Sequence, residues 1–370
     1  MGKVLTRLTL PGVLGQVRHV TPVPPRAAEA AVARVYAQAA RDFGMLAPPI
    51  LLHSPAAGPL AASWTMLRES LLAAGTVPRV VKETVAAGVS AANACPYCVD
   101  VHQATGDALA RSAGPAGDPP APADGIAGWA RRSGTAAPAG PPAPAGQARE
   151  LIAVAVTFHY LNRMVGVFLG ESPLPPGLPV RARRRLLRLF GTMMRPAARR
   201  AAVPGESLTL LPAAALPADL AFAHGDPNLA GAFARAAAAI DRAGRRSVPG
   251  PVRELVADRL AGWDGEPPGL GRGWAADAAA GLAPEHRPAG RLALLTAMAA
   301  YQVDDRVIGE YRAGTPGDPA LVELTSWASM AAARRVAAGF RPAVPAGARP
   351  RDARGRFVAL GGRHAGQDRW

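Results

Sequence analysis

Cysteine is close to absent from this chain, with two in 370 residues. That excludes a disulfide framework and leaves the single pair for chemistry. Lysine is as scarce: Lys3 and Lys82 stand alone, so the formal charge of +15 is almost wholly arginine. With 40 glycines, 38 prolines and abundant alanine, the pattern is one that GC-rich coding produces, and a basic balance alone names no partner. Aromatic residues make up 5%, and no motif that reads RNA or DNA is present, so no nucleic-acid partner is expected. No apolar run approaches the roughly 18–20 residues of a membrane span, so no membrane partner is expected either. The start, Met1 to Val17, carries Lys3 and Arg7, but Pro11 and Gly12 break its apolar stretch and no cleavage site follows. A cytoplasmic location is the expectation, where free thiols stay reduced.

Strand-like alternation is also nearly missing, and helical periodicity takes its place. The pattern predicts helices near 26–43, 58–74, 79–93, 96–112, 147–169, 180–195, 227–243, 250–262, 271–282, 287–312 and 318–339. Pro25, Pro78, Pro96 and Pro249 fall at or just before helix starts, where a missing N–H costs little. The fold class is therefore all-α. The length favours two domains with ample core and no need of a metal or disulfide staple. Two segments are expected to be unstructured. One is 113–146, built from Pro, Ala and Gly; the other is the tail from 343, with Arg349, Arg351, Arg354, Arg356 and Arg363. Both bury too little apolar surface to offset the entropy of ordering.

The chain repeats itself. Val77-Pro78-Arg79-Val80-Val81-Lys82-Glu83 matches Val248-Pro249-Gly250-Pro251-Val252-Arg253-Glu254 at an offset of 171, and His53 matches His224 at the same offset. Further on, Glu150-Leu151-Ile152-Ala153 to Tyr160 matches Arg291-Leu292-Ala293-Leu294 to Tyr301 at an offset of 141. The smaller offset fits an insert at 113–146 that only the first copy has. In the second copy Cys95 falls on Glu266, Cys98 on Gly269, and no histidine replaces His102. The first copy is expected to keep the chemistry and the second to be structural. The boundaries are an N-terminal segment 1–25, a first repeat 26–205 with its insert, a degenerate second repeat 206–342, and a basic tail 343–370.

Both cysteines lie in Asn93-Ala94-Cys95-Pro96-Tyr97-Cys98-Val99-Asp100-Val101-His102. Pro96 fits the first helical position, so Cys95 becomes the N-cap and Cys98 falls in the first turn. Unpaired N–H groups and the positive end of the helix dipole there favour a thiolate. His102 follows Cys98 by four residues and shares its helix face, so it can take or relay the thiol proton. Glu83 lies twelve residues before Cys95, where a helix–turn–helix returns a carboxylate to orient the histidine. Glu254 keeps the same residue in a repeat without cysteines, which argues for a structural role such as a helix-packing hydrogen bond, but the catalytic reading of Glu83 is the one favoured. Metal binding through the cysteines with Asp100 or His102 stays open, as does a pair of inert buried thiols. Cys-Pro-Tyr-Cys is also a glutaredoxin-type tetrapeptide, but here it follows a helix instead of a strand. His159, Tyr160, Asn162 and Arg163 form a polar cluster on an apolar helix, suited to a pocket or to interhelical hydrogen bonds. Arg181, Arg183, Arg184, Arg185 and Arg188, with Leu186, Leu187, Leu189 and Phe190, mark a basic amphipathic helix suited to an acidic partner or a membrane surface, but expected first to be solvated with its leucines on the core.

The set Glu83, Cys95, Cys98 and His102 resembles the alkylhydroperoxidase D (AhpD) family, within the wider carboxymuconolactone decarboxylase-like superfamily. All four positions match at the family spacing, and the resemblance covers residues 40–170 well and 220–340 as the degenerate repeat. It implies an all-α bundle, a homo-oligomer, and thiol-dependent reduction of hydroperoxides. The second repeat would then stand in for a second subunit. Cys98 would be the peroxidatic thiol, activated by His102 and Glu83, and Cys95 the resolving thiol facing the reductant. Tyr97, His159, Asn162 and Arg163 would surround the pocket. Some members carry a histidine between the cysteines, where this chain has Tyr97. No flavin, haem or nicotinamide fingerprint is evident, so no bound cofactor is expected and an external dithiol donor, a lipoyl protein or a thioredoxin-like one, is required. The alternatives are a disulfide reductase that does not use peroxide, and a redox-sensing or scaffolding protein.

Overall fold

Helices dominate the structure, a computed structural model that describes residues 12–111, 123–135, 138–175, 177–315 and 317–340. Among them no residue lies in a β-strand; a lone bridge joins Ala73 and Ala202. In chain order the α-helices are α1 (Ala30–Gln38), α2 (Pro48–Leu51), α3 (Ala57–Leu67), α4 (Arg79–Ala92), α5 (Pro96–Ala110), α6 (Ala123–Arg132) and α7 (Ala145–Phe168). They continue with α8 (Val180–Ala198), α9 (Pro227–Ser247), α10 (Gly250–Ala261), α11 (Gly273–Ala279), α12 (Arg287–Ala299), α13 (Asp305–Gly314) and α14 (Asp318–Gly339). Proline sets several starts. Pro78, Pro144, Pro179 and Pro249 cap α4, α7, α8 and α10 at φ between −55° and −58° and ψ between 143° and 151°. The ring fixes that φ, and a cap position needs no N–H from the proline.

The middle of the molecule is α7. Every residue from Glu150 to Phe168 is buried except Gly166. By length and composition this helix is apolar enough to cross a membrane, a run the sequence reading did not pick out; 94% of its apolar window is buried inside the fold. Helices α4 and α14 pack on it, α5 and α6 pack on α4, and α8 packs on α5. The α5–α8 approach is backbone-close, because a Cβ on Gly191 would sit 2.1 Å from the Ala104 carbonyl oxygen. Ion pairs lock the first half and tie it to the start of the second. Lys82 meets Glu150 at 2.9 Å, and Arg68, fully buried, pairs with Asp42, Glu69 and Glu206 at 2.6–2.7 Å.

The duplication is visible in the helix starts. Pro78 and Pro249, 171 residues apart, cap α4 and α10 in the same conformation. Ala56 and Asp226 cap α3 and α9 with φ of −127° and −126°. Helix α3 packs directly on its counterpart α9, and the described chain to Phe340 makes one compact unit. The tail 343–370 lies outside the described residues.

Three expectations are corrected. The segment 113–146, expected to be unstructured, contains α6, which buries Ile126, Trp129 and Ala130 in the core and packs against Gly88 of α4. Residues 133–135 and 138–144 lie outside any helix, 145–146 begin α7, and 113–122 and 136–137 lie outside the described residues. The single helix predicted at 287–312 is broken: Ala299 leaves helical geometry (φ −156°, ψ 57°), and the Asp304 side chain accepts from Val307 N to start α13 afresh. The leucines of α8 do not all turn inward, since Leu186 and Leu189 are exposed.

Candidate active site

The cysteines sit where α4 turns into α5. Only Asn93 and Ala94 separate that turn from Cys95, and the Cys95 N–H donates to the Ser90 carbonyl at 2.9 Å. Ala94 adopts φ +49°, the left-handed region that costs a residue with a Cβ about 1 kcal/mol. Cys95 caps α5 and Pro96 takes its first position, as the sequence predicts. Both thiols are free and buried, at 3% and 4% exposure. Cys95, expected to face a reductant, is thus as enclosed as Cys98. The Cys98 thiol has Cys95, Asn162 and Ser90 in hydrogen-bonding reach.

Glu83 arrives from α4 and His102 from α5. The His102 Nδ1–H donates to Glu83 Oε2 at 2.6 Å, and Arg79 donates to Glu83 Oε1 at 2.7 Å. Burial pushes the Glu83 carboxyl up, but the Arg79 charge and the hydrogen bonds from Arg79 and His102 outweigh it and hold the group below its ordinary range. The ring of His102 stands edge-on to Phe158, with centroids 4.6 Å apart. With Nδ1 committed to Glu83, Nε2 is the nitrogen left for a proton in transit.

Cys98 and His102 line one pocket with Tyr97, Phe43, Phe158 and Phe190, a cavity of about 60 Å³ with an almost wholly apolar wall. Tyr97 is buried beside the cysteines, and its hydroxyl donates to Gln16 at 3.1 Å. The sequence reading expected the end of α5 to favour a Cys98 thiolate. Burial does the opposite and, with the Cys95 hydrogen bond, pushes the thiol well above its ordinary value, while Asn162 and Ser90 pull the other way. Cys98 therefore rests as a thiol.

His159, Asn162 and Arg163 do not line that pocket. They brace the cysteine turn from the other side through Asn93. The Asn93 amide donates both hydrogens, to His159 Nδ1 and to Asn162 Oδ1, each at 3.1 Å. Asn162 in turn donates to Ser90 Oγ at 2.9 Å. His159 Nε2–H donates to Ser133 Oγ at 2.9 Å, which ties in the residue just past α6. Burial and the Arg163 charge push His159 well below its ordinary value, consistent with this neutral pattern. Arg163 donates to the His159 and Ala297 carbonyls and stacks over Trp263, linking the turn to the second repeat. Asp100 is spent on Arg183 and Ser172. Among the described residues no group of three or more His, Cys, Asp or Glu is placed to hold a metal ion.

This geometry coincides with a family pattern. The carboxymuconolactone decarboxylase family matches residues 58–116, the span from α3 through α5 that carries Glu83, both cysteines and His102. A protein named alkyl hydroperoxide reductase Rv2159c, from Mycobacterium tuberculosis, is 41% identical over 332 residues, covering 86% of this chain and 94% of its own length. The chain belongs to the AhpD-like, carboxymuconolactone decarboxylase-like superfamily. No solved structure matches it.

Within this AhpD-like chain the two copies of the glutamate have parted ways. Glu254 is exposed on α10, whereas Glu83 is buried against His102. The two copies of the glutamate thus differ in burial and surroundings. Sequence reasoning missed Ser90, Asn93, Ser133 and the phenylalanines of the pocket. Asn93 had a signal, as a polar residue directly beside the motif. Ser90 sits five residues before Cys95 but inside the apolar run of α4, and Ser133 and the phenylalanines come from distant stretches of the chain, so these had none.

Proposed function

We propose that the protein is a thiol-dependent peroxidase that reduces organic hydroperoxides through Cys98 and Cys95. The observation that carries this is one apolar pocket holding both the Cys98 thiol and a histidine whose far nitrogen is anchored on a buried carboxylate. The relative's name, alkyl hydroperoxide reductase, supports the same reading. His102 takes the Cys98 proton as the sulfur attacks the peroxide's terminal oxygen. The O–O bond breaks, the sulfur loses two electrons and becomes a sulfenic acid, and the proton leaves on the departing alcohol. Cys95 then attacks that sulfur, forming a disulfide and releasing water. An external dithiol, on a lipoyl or thioredoxin-like protein, restores both thiols by exchange. The apolar wall favours an alkyl hydroperoxide over hydrogen peroxide.

The test is a titration of the reduced protein with cumene hydroperoxide, counting free thiols with no reductant present. Loss of both thiols for about one peroxide consumed supports the cycle. Thiols untouched by excess peroxide would remove it.

A further inference from the structure

Helix α8 has two faces that the proposed cycle does not explain. It carries Arg181, Arg183, Arg184, Arg185, Arg188 and Arg195, and no acidic residue occurs between Glu171 and Glu206. Arg183 pairs with Asp100; Arg181, Arg184, Arg185 and Arg188 point to solvent. Its inner face, Gly191, Met194 and Ala198, is buried. Three apolar side chains remain outside: Leu186, Leu189 and Met193, at 37%, 63% and 38% exposure. They stand at i, i+3 and i+7 and so form one stripe. Val180 and Val203, near the two ends of the helix, are exposed as well.

At about 100° per residue the order around α8 is a band of arginines, then the stripe, then Phe190, then the buried face. Phe190 belongs to the pocket of Cys98. An apolar path thus runs around one helix from solvent to the reactive thiol, with arginines along its outer edge. We propose that α8 docks on an anionic phospholipid surface, its stripe entering the headgroup–acyl boundary and its arginines meeting the phosphates. The hydroperoxide reaching Cys98 is then an oxidised acyl chain drawn from that surface.

The choice of occupant follows from charge and polarity together. A second copy of a chain with charge +15 would set arginine against arginine. An acidic protein would answer the arginines and leave the leucine stripe unmatched. A basic helix with an apolar flank matches an anionic bilayer on both counts, phosphate to guanidinium and hydrocarbon to leucine. The substrate part of the proposal rests on the peroxidase reading. Its chemistry is unchanged: the lipid hydroperoxide becomes the lipid alcohol, Cys98 becomes the sulfenic acid, and the same dithiol donor closes the cycle.

The experiment is flotation of the full-length reduced protein with phosphatidylcholine vesicles, with and without phosphatidylglycerol. Wild type should float with the anionic vesicles and stay behind with neutral ones. Two variants divide the stripe from the band: Leu186→Asn with Leu189→Asn, and Arg184→Gln with Arg185→Gln and Arg188→Gln. Each should weaken binding by at least about tenfold. Each should also slow reduction of a phospholipid hydroperoxide held in the vesicles, while turnover of soluble cumene hydroperoxide stays as in wild type. That last assay reports folding and isolates the peroxidase reading, because its failure leaves the flotation result standing. Absence of wild-type flotation at low salt overturns the docking proposal. So does full binding by the leucine variant, which would mean adsorption by charge alone. Protection of α8 by a purified acidic dithiol carrier, with vesicles ignored, would assign the face to that protein instead.

Discussion

His102 and Glu83 meet at 2.6 Å inside the protein, nineteen residues apart in the chain and brought together by the three-residue turn between α4 and α5. The pair anchors one ring nitrogen and fixes the direction in which the other can move a proton.

Glu83→Gln keeps the shape and removes the charge. It should lower kcat/KM for an organic hydroperoxide by about a hundredfold. Stability should suffer too, by about 3 kcal/mol near neutral pH, because Arg79 loses its buried partner. A carboxyl held below its ordinary value of 4.5 stabilises the fold above that value and loses the contribution as pH falls through the lowered one. Urea melts of wild type and variant should therefore converge in acid; a gap that persists at about pH 2 contradicts the assignment.

The two cysteines should behave differently. Cys98→Ser should abolish peroxide consumption. Cys95→Ser should allow one oxidation per chain and leave a sulfenic acid, visible by mass after dimedone capture. Normal steady-state turnover in either variant refutes the assigned cycle.

Cys98 should prove a slow thiol until its base is engaged. Alkylation of the Cys95→Ser protein by iodoacetamide should keep rising past pH 9.0, the ordinary thiol value, because burial pushes Cys98 above it. A rate that levels off below pH 7 would show a resting thiolate.

Acid should weaken the fold through its buried histidines. Burial drives His53 down to about 3, and burial with the Arg163 charge drives His159 well below 6.5. Both stay neutral in the fold while the unfolded chain takes up protons below 6.5, so stability is lost as pH drops below that value. At about pH 5 each should cost about 2 kcal/mol relative to neutral pH. His53→Gln should remove its share of that slope, as read by urea melts at a series of pH values.

Much of this site was legible before any coordinates. Spacing alone placed Cys95 at a cap, Cys98 one turn in and His102 on the same face, and the proline before each repeat marked α4 and α10. What could not be read depended on distant packing. The Cys98 thiol is high because burial and its Cys95 neighbour push it up, and no local pattern announces that enclosure. Helix α6 was hidden by its Pro/Ala/Gly flanks, although Ile126, Trp129 and Ala130 show helical spacing. The break at Ala299 was hidden because the apolar pattern runs straight through Ala299, Ala300 and Tyr301. The exposure of Leu186 and Leu189 was missed because an amphipathic pattern does not say which face is covered.

The pocket draws every one of its residues from positions before 191. The second repeat supports it from behind, α14 and the α12 end packing on α7 and α9 packing on α3. What fits beside the reactive sulfur and how firmly the whole chain holds together are therefore written in separate stretches of one gene. Drift in residues 206–340 can alter robustness while the lining of the pocket is inherited intact.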